Sequence, residues 1–263
     1  MARFLALAYG VFNYLVFLVV FLYLVGFVGD FVVPRSVDHG PPAPVGLAIV
    51  VDVALVALFA VQHSVMARPA FKRWWTRVVP ESIERSTYVL ASNLVLALLF
   101  WQWRPIPATM WNLTVPAERT VLWGLFWIGW AIALASTFMI SHLDLFGLRQ
   151  VYLASRGEPY NHVGFQTRAL YRVVRHPLML GFVIAFWATP TMTAGHLLFA
   201  AAATGFILIA LQLEEHDLVG ALGEDYEQYR TEVPMLVPVR WRGEFRRTAA
   251  GRTGPRPGTR TGR

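Results

Sequence analysis

Arg175-His176-Pro177 stands where an Arg-rich polar segment changes into an apolar run that continues without a charged residue to Leu213. Pro is favoured in the first turn of a helix, because its missing N–H group would lack a partner there in any case. The N–H groups that follow it are free to face a ligand. The tripeptide therefore predicts a helix start at a membrane surface, with an anionic group as candidate ligand and a plain helix start as the alternative.

A second polar group follows the apolar run. Glu214 and Glu215 come directly after Leu213, at the expected C-terminal end of a helix, where the helix dipole disfavours carboxylates. The pair should therefore have a cationic partner, either Arg175 at the start of the same run or a bound cation. Shortly afterwards the chain carries Gly223, Tyr226, Tyr229 and Val233-Pro234.

Several chemistries are excluded by residue types that the chain lacks. It contains no cysteine, which excludes disulfides, thiolate nucleophiles and Cys-ligated metals or clusters. It also has no Gly-x-Gly-x-x-Gly after a strand, no P-loop and no His-Glu-x-x-His. A cofactor site would therefore have to be built from helix ends, and we predict no metal.

The composition is that of a membrane protein. Hydrophobic residues make up 56% of the chain, charged residues only 15%, and the mean hydropathy is +0.48. Four segments are nearly free of charge and close to the roughly 20 residues that a helix needs to cross a bilayer: about 4–27, 44–66, 86–103 and 120–140. The first lacks a small-residue cleavage site, so we expect it to be retained as a transmembrane helix.

The last apolar run must fold back on itself. Residues 176–213 would form one helix of roughly 57 Å, nearly twice the hydrocarbon thickness of a bilayer. The Thr-, Pro- and Gly-containing stretch 189–195 is the expected turn, and its first arm is short enough to be re-entrant. The predicted fold is an all-α integral membrane protein with four transmembrane helices, a C-terminal helical hairpin (five to six membrane segments) and a cytoplasmic cofactor site.

The net charge of +7 would suggest nucleic acid, but the basic residues follow membrane topology instead. They cluster at residues 68–85, 149–175 and 230–263, whereas the other loops carry few. This distribution predicts both termini in the cytoplasm. The expected partner is therefore the lipid bilayer and not nucleic acid, and the oligomeric state is left open.

Three regions are predicted along the chain. Residues 1–141 form the N-terminal transmembrane helices. Residues 142–238 form a cytoplasmic loop, the membrane hairpin and a C-terminal segment that together make the cofactor-binding half. Residues 239–263 have the Gly, Pro and Arg content of a disordered basic tail.

The motifs of the last third resemble a known family. Arg-His-Pro, a hairpin, a Glu pair, Gly-x-x-Tyr-x-x-Tyr and Val-Pro occur in the order found in membrane methyltransferases of the isoprenylcysteine carboxyl methyltransferase and phospholipid methyltransferase type and in NnrU-type proteins. One departure is Leu178-Met179, where many relatives carry an aromatic residue two places after the Pro. It leaves the packing against the adenine open.

Three longer stretches extend the resemblance over most of the chain. QHSVMARPAFKRWW (62–75), SHLDLFGLRQVYL (141–153) and residues 170–200 are similar to bacterial methanethiol S-methyltransferases, which make dimethyl sulfide. The resemblance implies S-adenosyl-L-methionine as methyl donor, a small thiol substrate and a place in the bacterial inner membrane.

Such a cofactor carries an ammonium, a carboxylate, a sulfonium and an adenine. Glu214 or Glu215 could bind the ammonium, Arg175 or the N–H groups after His176 the carboxylate, and a tyrosine the adenine. For the tyrosines, interfacial packing is the alternative. The full set of candidate cofactor-binding residues is Tyr171, Arg175, His176, Pro177, Leu178, Gly181, Glu214, Glu215, Tyr226 and Tyr229.

The acceptor side needs a group that deprotonates the thiol or stabilises the thiolate, because a simple alkanethiol is a weaker acid than cysteine, whose pKa is about 8.5. His142 and Asp144, at the end of the fourth helix, are the first candidates. Arg149 and His63 follow, and a polar helix end in contact with water is the alternative for each. If residues 141–150 form one helix, Asp144 and Arg149 do not share a face, whereas a helix that ends at Gly147 would allow Arg149 to turn in.

Other readings remain open at this point. The acceptor could be a prenylcysteine carboxylate or a lipid, because the cofactor motifs do not define it. A non-enzymatic protein could bind haem through His63 and His142 or could belong to a transporter, although only the last segment is broken. Asp52 lies inside the second apolar segment and is expected to form a structural hydrogen bond to a neighbouring helix. No role is assigned to His39, His162 and His196.

Overall fold

The structure is a computed structural model, and it describes residues 1–161, 164 and 167–238. The predicted tail at 239–263 and His162 lie outside these residues. The described residues form ten α-helices, one short 3₁₀ helix (Ala169–Arg172) and two short strands: α1 Ala2–Gly29, α2 Val45–Ala67, α3 Pro69–Trp75, α4 Glu81–Gln102, β1 Thr109–Asn112, α5 Pro116–Ile140, α6 His142–Leu145, α7 Leu148–Arg156, α8 Pro177–Trp187, β2 Thr191–Thr193, α9 Ala194–Leu222 and α10 Glu224–Glu232.

Five of the described helices are long and apolar enough to cross a membrane, namely α1, α2, α4, α5 and α9. The chain is therefore an integral membrane protein, and the four predicted N-terminal spans are confirmed. Helix α1 ends at Asp30, which adopts a left-handed conformation with φ 56°. Helices α3, α5 and α8 each begin at a proline, as its fixed φ favours.

The predicted hairpin is present. Its first arm, α8, has 11 residues and is too short to cross the bilayer alone. The chain turns through residues 188–190 and the strand β2, and α9 returns over 29 residues. Helix α9 extends past the Glu pair to Leu222, so both carboxylates lie in its last turns.

A small sheet closes the turn of the hairpin, and the sequence analysis did not predict it. Strand β2 pairs antiparallel with β1, which lies between α4 and α5. Each strand is too short to show a hydrophobic period. The predicted all-α fold class is confirmed, and this small sheet is an addition to it.

Helices α5 and α8 approach each other closely through small residues. A Cβ atom added to Gly181 would lie 2.5 Å from the backbone nitrogen of Ala133, and one added to Gly129 would lie 2.7 Å from the carbonyl oxygen of Gly181. Small residues spaced by four are typical of membrane helices whose backbones touch. This contact fixes α8, and with it the Arg-His-Pro segment, against α5.

Asp52 is fully buried in α2, and its carboxylate accepts a hydrogen bond of 2.9 Å from the backbone N–H group of Arg104. The partner is thus the first residue beyond the C-cap of α4. A carboxylate that binds a free backbone group at a helix end is a structural contact, as predicted.

Candidate functional site

Arg175, His176 and Glu215 form a buried cluster that joins the two arms of the hairpin. Nε of Arg175 donates to one carboxylate oxygen of Glu215 at 2.7 Å, and Nη2 donates to the other at 3.1 Å. Nε2 of His176 lies 3.0 Å from the same carboxylate. The side chains of Arg175 and Glu215 are only 10% and 5% exposed, so the predicted cation for the Glu pair is Arg175.

The same arginine fixes the C-terminal segment. Nη1 of Arg175 donates to the carbonyl oxygens of Val233 at 2.5 Å and Arg230 at 3.0 Å. The backbone N–H groups of residues 175 and 176 donate to the carbonyl oxygens of Pro234 at 2.9 Å and Met235 at 3.1 Å. The Val-Pro motif therefore positions the segment after α10 against the start of α8.

Glu214 differs from its neighbour in exposure. Its side chain is 49% exposed, and its carboxylate lies 4.0 Å from Nδ1 of His176. Burial, followed by the negative charge of Glu214, raises the pKa of the Tyr171 hydroxyl. Because Arg175 and Glu215 bind each other, Glu214 is the carboxylate that remains accessible to a cationic ligand beside the start of α8.

Tyr226 and Tyr229 lie in a small apolar cluster with Val233, and both are buried. Their ring centroids are 5.8 Å apart, and the hydroxyl of Tyr229 donates to the carbonyl oxygen of Tyr171 at 2.5 Å. Burial raises the pKa of both hydroxyls. This placement agrees with the packing alternative for the tyrosines and leaves little ring surface for an adenine.

A cavity of about 430 Å³ lies between the spanning helices next to the start of α8. Leu178 and Met179, in the first turn of α8, line it, together with Phe182 one turn further on. Most of its remaining wall is aliphatic and aromatic. Its volume is within the range of roughly 300–1,000 Å³ that is typical of ligand sites. Gly181 is not part of this wall, because it faces α5.

One side of the cavity is polar. Helix α4 contributes Arg85, Tyr88, Ser92 and Asn93 to the wall, and α2 contributes His63. The hydroxyl of Tyr88 lies 2.9 Å from Nε2 and 3.0 Å from Nδ1 of His63, and the Ser92 hydroxyl lies 3.3 Å from Nδ1. A titratable imidazole thus lies at an apolar cavity, within reach of two hydroxyl groups.

His142 is buried beside this cavity, but it is not part of the wall. Its Nε2 lies 2.8 Å from the hydroxyl of Tyr14, and its Nδ1 lies 2.7 Å from the hydroxyl of Thr137. The ring stacks on Phe138 with a centroid distance of 4.1 Å. Burial lowers the pKa of His142. Because His142 does not line the cavity and each of its nitrogens has its own hydroxyl partner, a direct contact with a thiol or with haem iron is disfavoured.

Asp144 and Arg149 lie close together in the structure. Gly147, with φ 83°, separates α6 from α7, and Nη1 of Arg149 lies 3.3 Å from the Asp144 carboxylate. Asp144 also accepts from the Tyr160 hydroxyl at 3.0 Å and from the Gln150 amide at 3.3 Å. Neither Asp144 nor Arg149 lines the large cavity. Their network joins α6, α7 and the loop that follows.

The sequence analysis missed Arg85, Tyr88 and Asn93. The signal was present, because residues 85, 88, 92 and 93 recur at the three- and four-residue spacing of one helix face. Arg85 directly precedes the predicted apolar segment 86–103, and the other three residues lie within the first half of that segment. What joins this face to His63 is the packing of α2 against α4, which no local pattern shows.

Comparison with known proteins identifies the family of this chain. Residues 52–233 match the family described as NnrU protein, and this region holds both the buried cluster and most of the cavity wall. The chain belongs to the NnrU family. This confirms the family predicted from the Arg-His-Pro and Glu-pair motifs.

Two family relatives are similar over nearly their full length. The methanethiol S-methyltransferase of Mycobacterium tuberculosis is 65% identical over 90% of this chain and 98% of its own. Methanethiol S-methyltransferase 2 of Bradyrhizobium diazoefficiens is 56% identical over 97% of each chain. A more distant relative, nurim of Bos taurus, is 30% identical over 65% of this chain and 68% of its own. No solved structure matches.

Proposed function

We propose that this chain is a methanethiol S-methyltransferase that uses S-adenosyl-L-methionine and forms dimethyl sulfide. The observation that carries the proposal is the 65% identity to a methanethiol S-methyltransferase across 98% of that protein. The apolar cavity beside the Arg-His-Pro segment supports it, because a small uncharged thiol needs a closed apolar pocket.

The residues around the start of α8 fit the proposed cofactor. Glu214 can bind its ammonium, and the N–H groups of Leu178 and Met179 in the first turn of α8 can bind its carboxylate. We assign Arg175, His176, Pro177 and Glu215 to holding this edge in place. Tyr171, Tyr226 and Tyr229 would pack against this edge on the side away from the cofactor. Gly181 allows α8 to pack on α5.

When bound, S-adenosylmethionine supplies an electrophilic methyl group on a sulfonium. The chain's own contribution is a water-poor pocket. Transfer to a thiolate removes two opposite charges, so the apolar walls favour the transition state over solvated reactants. Holding the two sulfur atoms in line on either side of the methyl group would supply much of the remaining rate.

Among the four candidates for the acceptor side, we assign the contact with the thiol to His63, since it lines the cavity. His142 would hold Tyr14 and Thr137 in position, and Asp144 with Arg149 would order the loop after α7. We further propose that the protein lies in a bacterial inner membrane with both termini and the Glu214 end of α9 in the cytoplasm. The basic residues support this orientation.

The test measures headspace dimethyl sulfide from purified protein in detergent with S-adenosylmethionine and methanethiol. Glu214→Gln should weaken cofactor binding about tenfold or more, because it removes one charge-assisted contact. Glu224→Gln, at an exposed position on α10, is the matched control and should leave binding unchanged. If the protein binds the cofactor but forms no dimethyl sulfide, the acceptor is a prenylcysteine or a lipid instead of methanethiol.

A further inference from the structure

Arg85 is the charged residue of the cavity wall. It lies one turn into α4 and is half-buried. Its Nε donates to the carbonyl oxygen of Leu145 at 3.1 Å, and its guanidinium carbon lies 5.5 Å from the ring centroid of Tyr88. Within the described part of the chain, Arg85 forms no ion pair with a carboxylate.

An arginine beside an apolar cavity is unusual without a countercharge. Removing a cation from water is destabilising unless an anion and hydrogen bonds replace the lost hydration. Arg175 and Arg149 meet this requirement with carboxylates of the protein, whereas Arg85 does not. An anionic ligand in the cavity would supply the counter-charge that Arg85 lacks among the described residues.

Asn93 provides a second, independent observation. It is 4% exposed, lines the same cavity two turns further along α4, and its amide nitrogen has no hydrogen-bond partner among the described residues. A buried amide donor without a partner is destabilising unless a ligand accepts its hydrogen bond. Both the cation and the unpaired donor are thus suited to an electron-rich acceptor atom.

We propose that Arg85 and Asn93 bind the acceptor sulfur as a thiolate and that His63 receives its proton. The inference deepens the proposed function, on which it rests, by locating the acceptor within the cavity. His63 has the hydroxyls of Tyr88 and Ser92 against its ring nitrogens, and all of these side chains line the same wall. The ligand class is a small, uncharged, apolar thiol.

The chemistry balances with these groups alone on the acceptor side. The S–H bond breaks, its electron pair stays on sulfur, and the proton goes to a ring nitrogen of His63. A neighbouring cation lowers the pKa of a thiol, so Arg85 offsets part of the cost of this transfer. The sulfur pair then forms the bond to the methyl carbon, the broken bond leaves its pair on the donor sulfur, and one proton is released per turnover.

Selectivity follows from the rest of the wall. Phe59, Phe182 and Phe206 contribute aromatic surface to the cavity. An ammonium or carboxylate on the substrate would lose its hydration there and gain no charged partner, because Arg85 already binds the thiolate. Cysteine and glutathione should therefore be poor acceptors, whereas uncharged alkanethiols should be methylated.

Arg85→Met tests the inference, with Arg85→Lys as the variant that keeps the charge and the exposed Arg77→Met as the matched control. We expect Arg85→Met to lower kcat/KM for methanethiol about 100-fold, a loss typical for the removal of one group that stabilises developing charge. The rising limb of the pH profile should move to higher pH. Arg85→Lys should return the rising limb of the pH profile to its wild-type position. In both variants the cofactor affinity should change by less than about twofold.

A more acidic thiol separates thiolate stabilisation from a structural role. With 2,2,2-trifluoroethanethiol, which ionises more readily, the loss in Arg85→Met should shrink to about tenfold or less. An equal loss with both thiols and an unchanged pH profile would overturn the inference. A loss of cofactor affinity would overturn it as well, because Arg85 would then bind the cofactor carboxylate.

The proposed function and this inference fail in different ways. If the wild-type protein makes no dimethyl sulfide, the proposed function is wrong and the acceptor is not methanethiol. If the wild type is active and Arg85→Met is equally active, the proposed function stands and the thiolate site is wrong. Thermal unfolding in detergent identifies a variant that fails to fold. If Arg85→Met fails to fold, the pH profile of Arg85→Lys decides whether the thiolate site is correct.

Discussion

At the scale of single residues, the two adjacent glutamates differ in exposure and therefore in the partners that they can bind. Glu215 is buried against Arg175 and His176, whereas the side chain of Glu214 is 49% exposed. A buried charge must be matched by a fixed partner, and an exposed one can exchange water for a ligand. The first residue therefore holds the two arms of the hairpin together, and the second is available for binding.

Glu215→Gln should lower the thermal stability of the purified protein, because it leaves Arg175 buried without its counter-charge. Breaking a buried ion pair typically costs about 3–5 kcal/mol. The double variant Arg175→Met/Glu215→Leu should be less destabilised than Glu215→Gln, since neither charge remains. Unfolding curves in detergent measure the stability of each variant. If the double variant loses as much stability as the two single variants together, the two side chains do not form a pair.

At the scale of elements, the position of α8 depends on its contact with α5. Gly129 and Gly181 allow the two backbones to touch, and α8 carries the Arg-His-Pro segment at its start and part of the cavity wall along its side. An 11-residue helix has little apolar surface of its own to define its position. Its placement therefore depends on the close contact between the backbones of α5 and α8 and on the hydrogen bonds that Arg175 donates to the C-terminal segment.

Gly181→Ala should destabilise the protein by about 1–3 kcal/mol, the usual cost of inserting a methyl group into a tightly packed contact. The added Cβ would meet backbone atoms of α5, which cannot rotate away. Gly124→Ala, in α5 with nothing within 4 Å of the added Cβ, should be neutral or stabilising because alanine favours helix. Equal unfolding temperatures for the two variants would contradict the close-packing argument.

At the scale of the whole molecule, the spanning helices place two kinds of structure at opposite ends. The Arg175–Glu215 cluster lies at the C-terminal end of α9, and the β1–β2 sheet lies at its N-terminal end. The charge distribution predicts that the first end faces the cytoplasm. Substrate and product are small and apolar in the proposed reaction, so they can reach the cavity from the lipid.

Single-cysteine labelling can test this orientation directly, because the chain contains no cysteine. Arg156→Cys, in the exposed last turn of α7, should react with a membrane-impermeant maleimide only in broken cells or inverted vesicles. Met110→Cys, exposed on β1, should react in intact cells with a permeable outer membrane. The reverse labelling pattern would show that the termini face the other side.

Much of this protein could be predicted from local sequence. The spans follow from runs of apolar residues matched to the bilayer thickness, and the hairpin follows from a run too long for one crossing. The Arg-His-Pro and Glu-pair motifs predicted the family and a cationic partner for the Glu pair, with Arg175 as one of the two candidates. These features depend on short stretches of chain or on a fixed order of motifs, so each can be recognised without knowing the fold.

Only the tertiary structure separated the roles of the candidate residues. His63 and His142 are alike in the sequence as polar residues at helix ends, but one lines the cavity and the other is held by Tyr14 and Thr137. Arg85 became a candidate only when α2, α4 and α8 were seen to enclose one cavity. Burial and the absence of a counter-charge depend on residues far apart in the chain, because they result from helix packing and not from any local pattern.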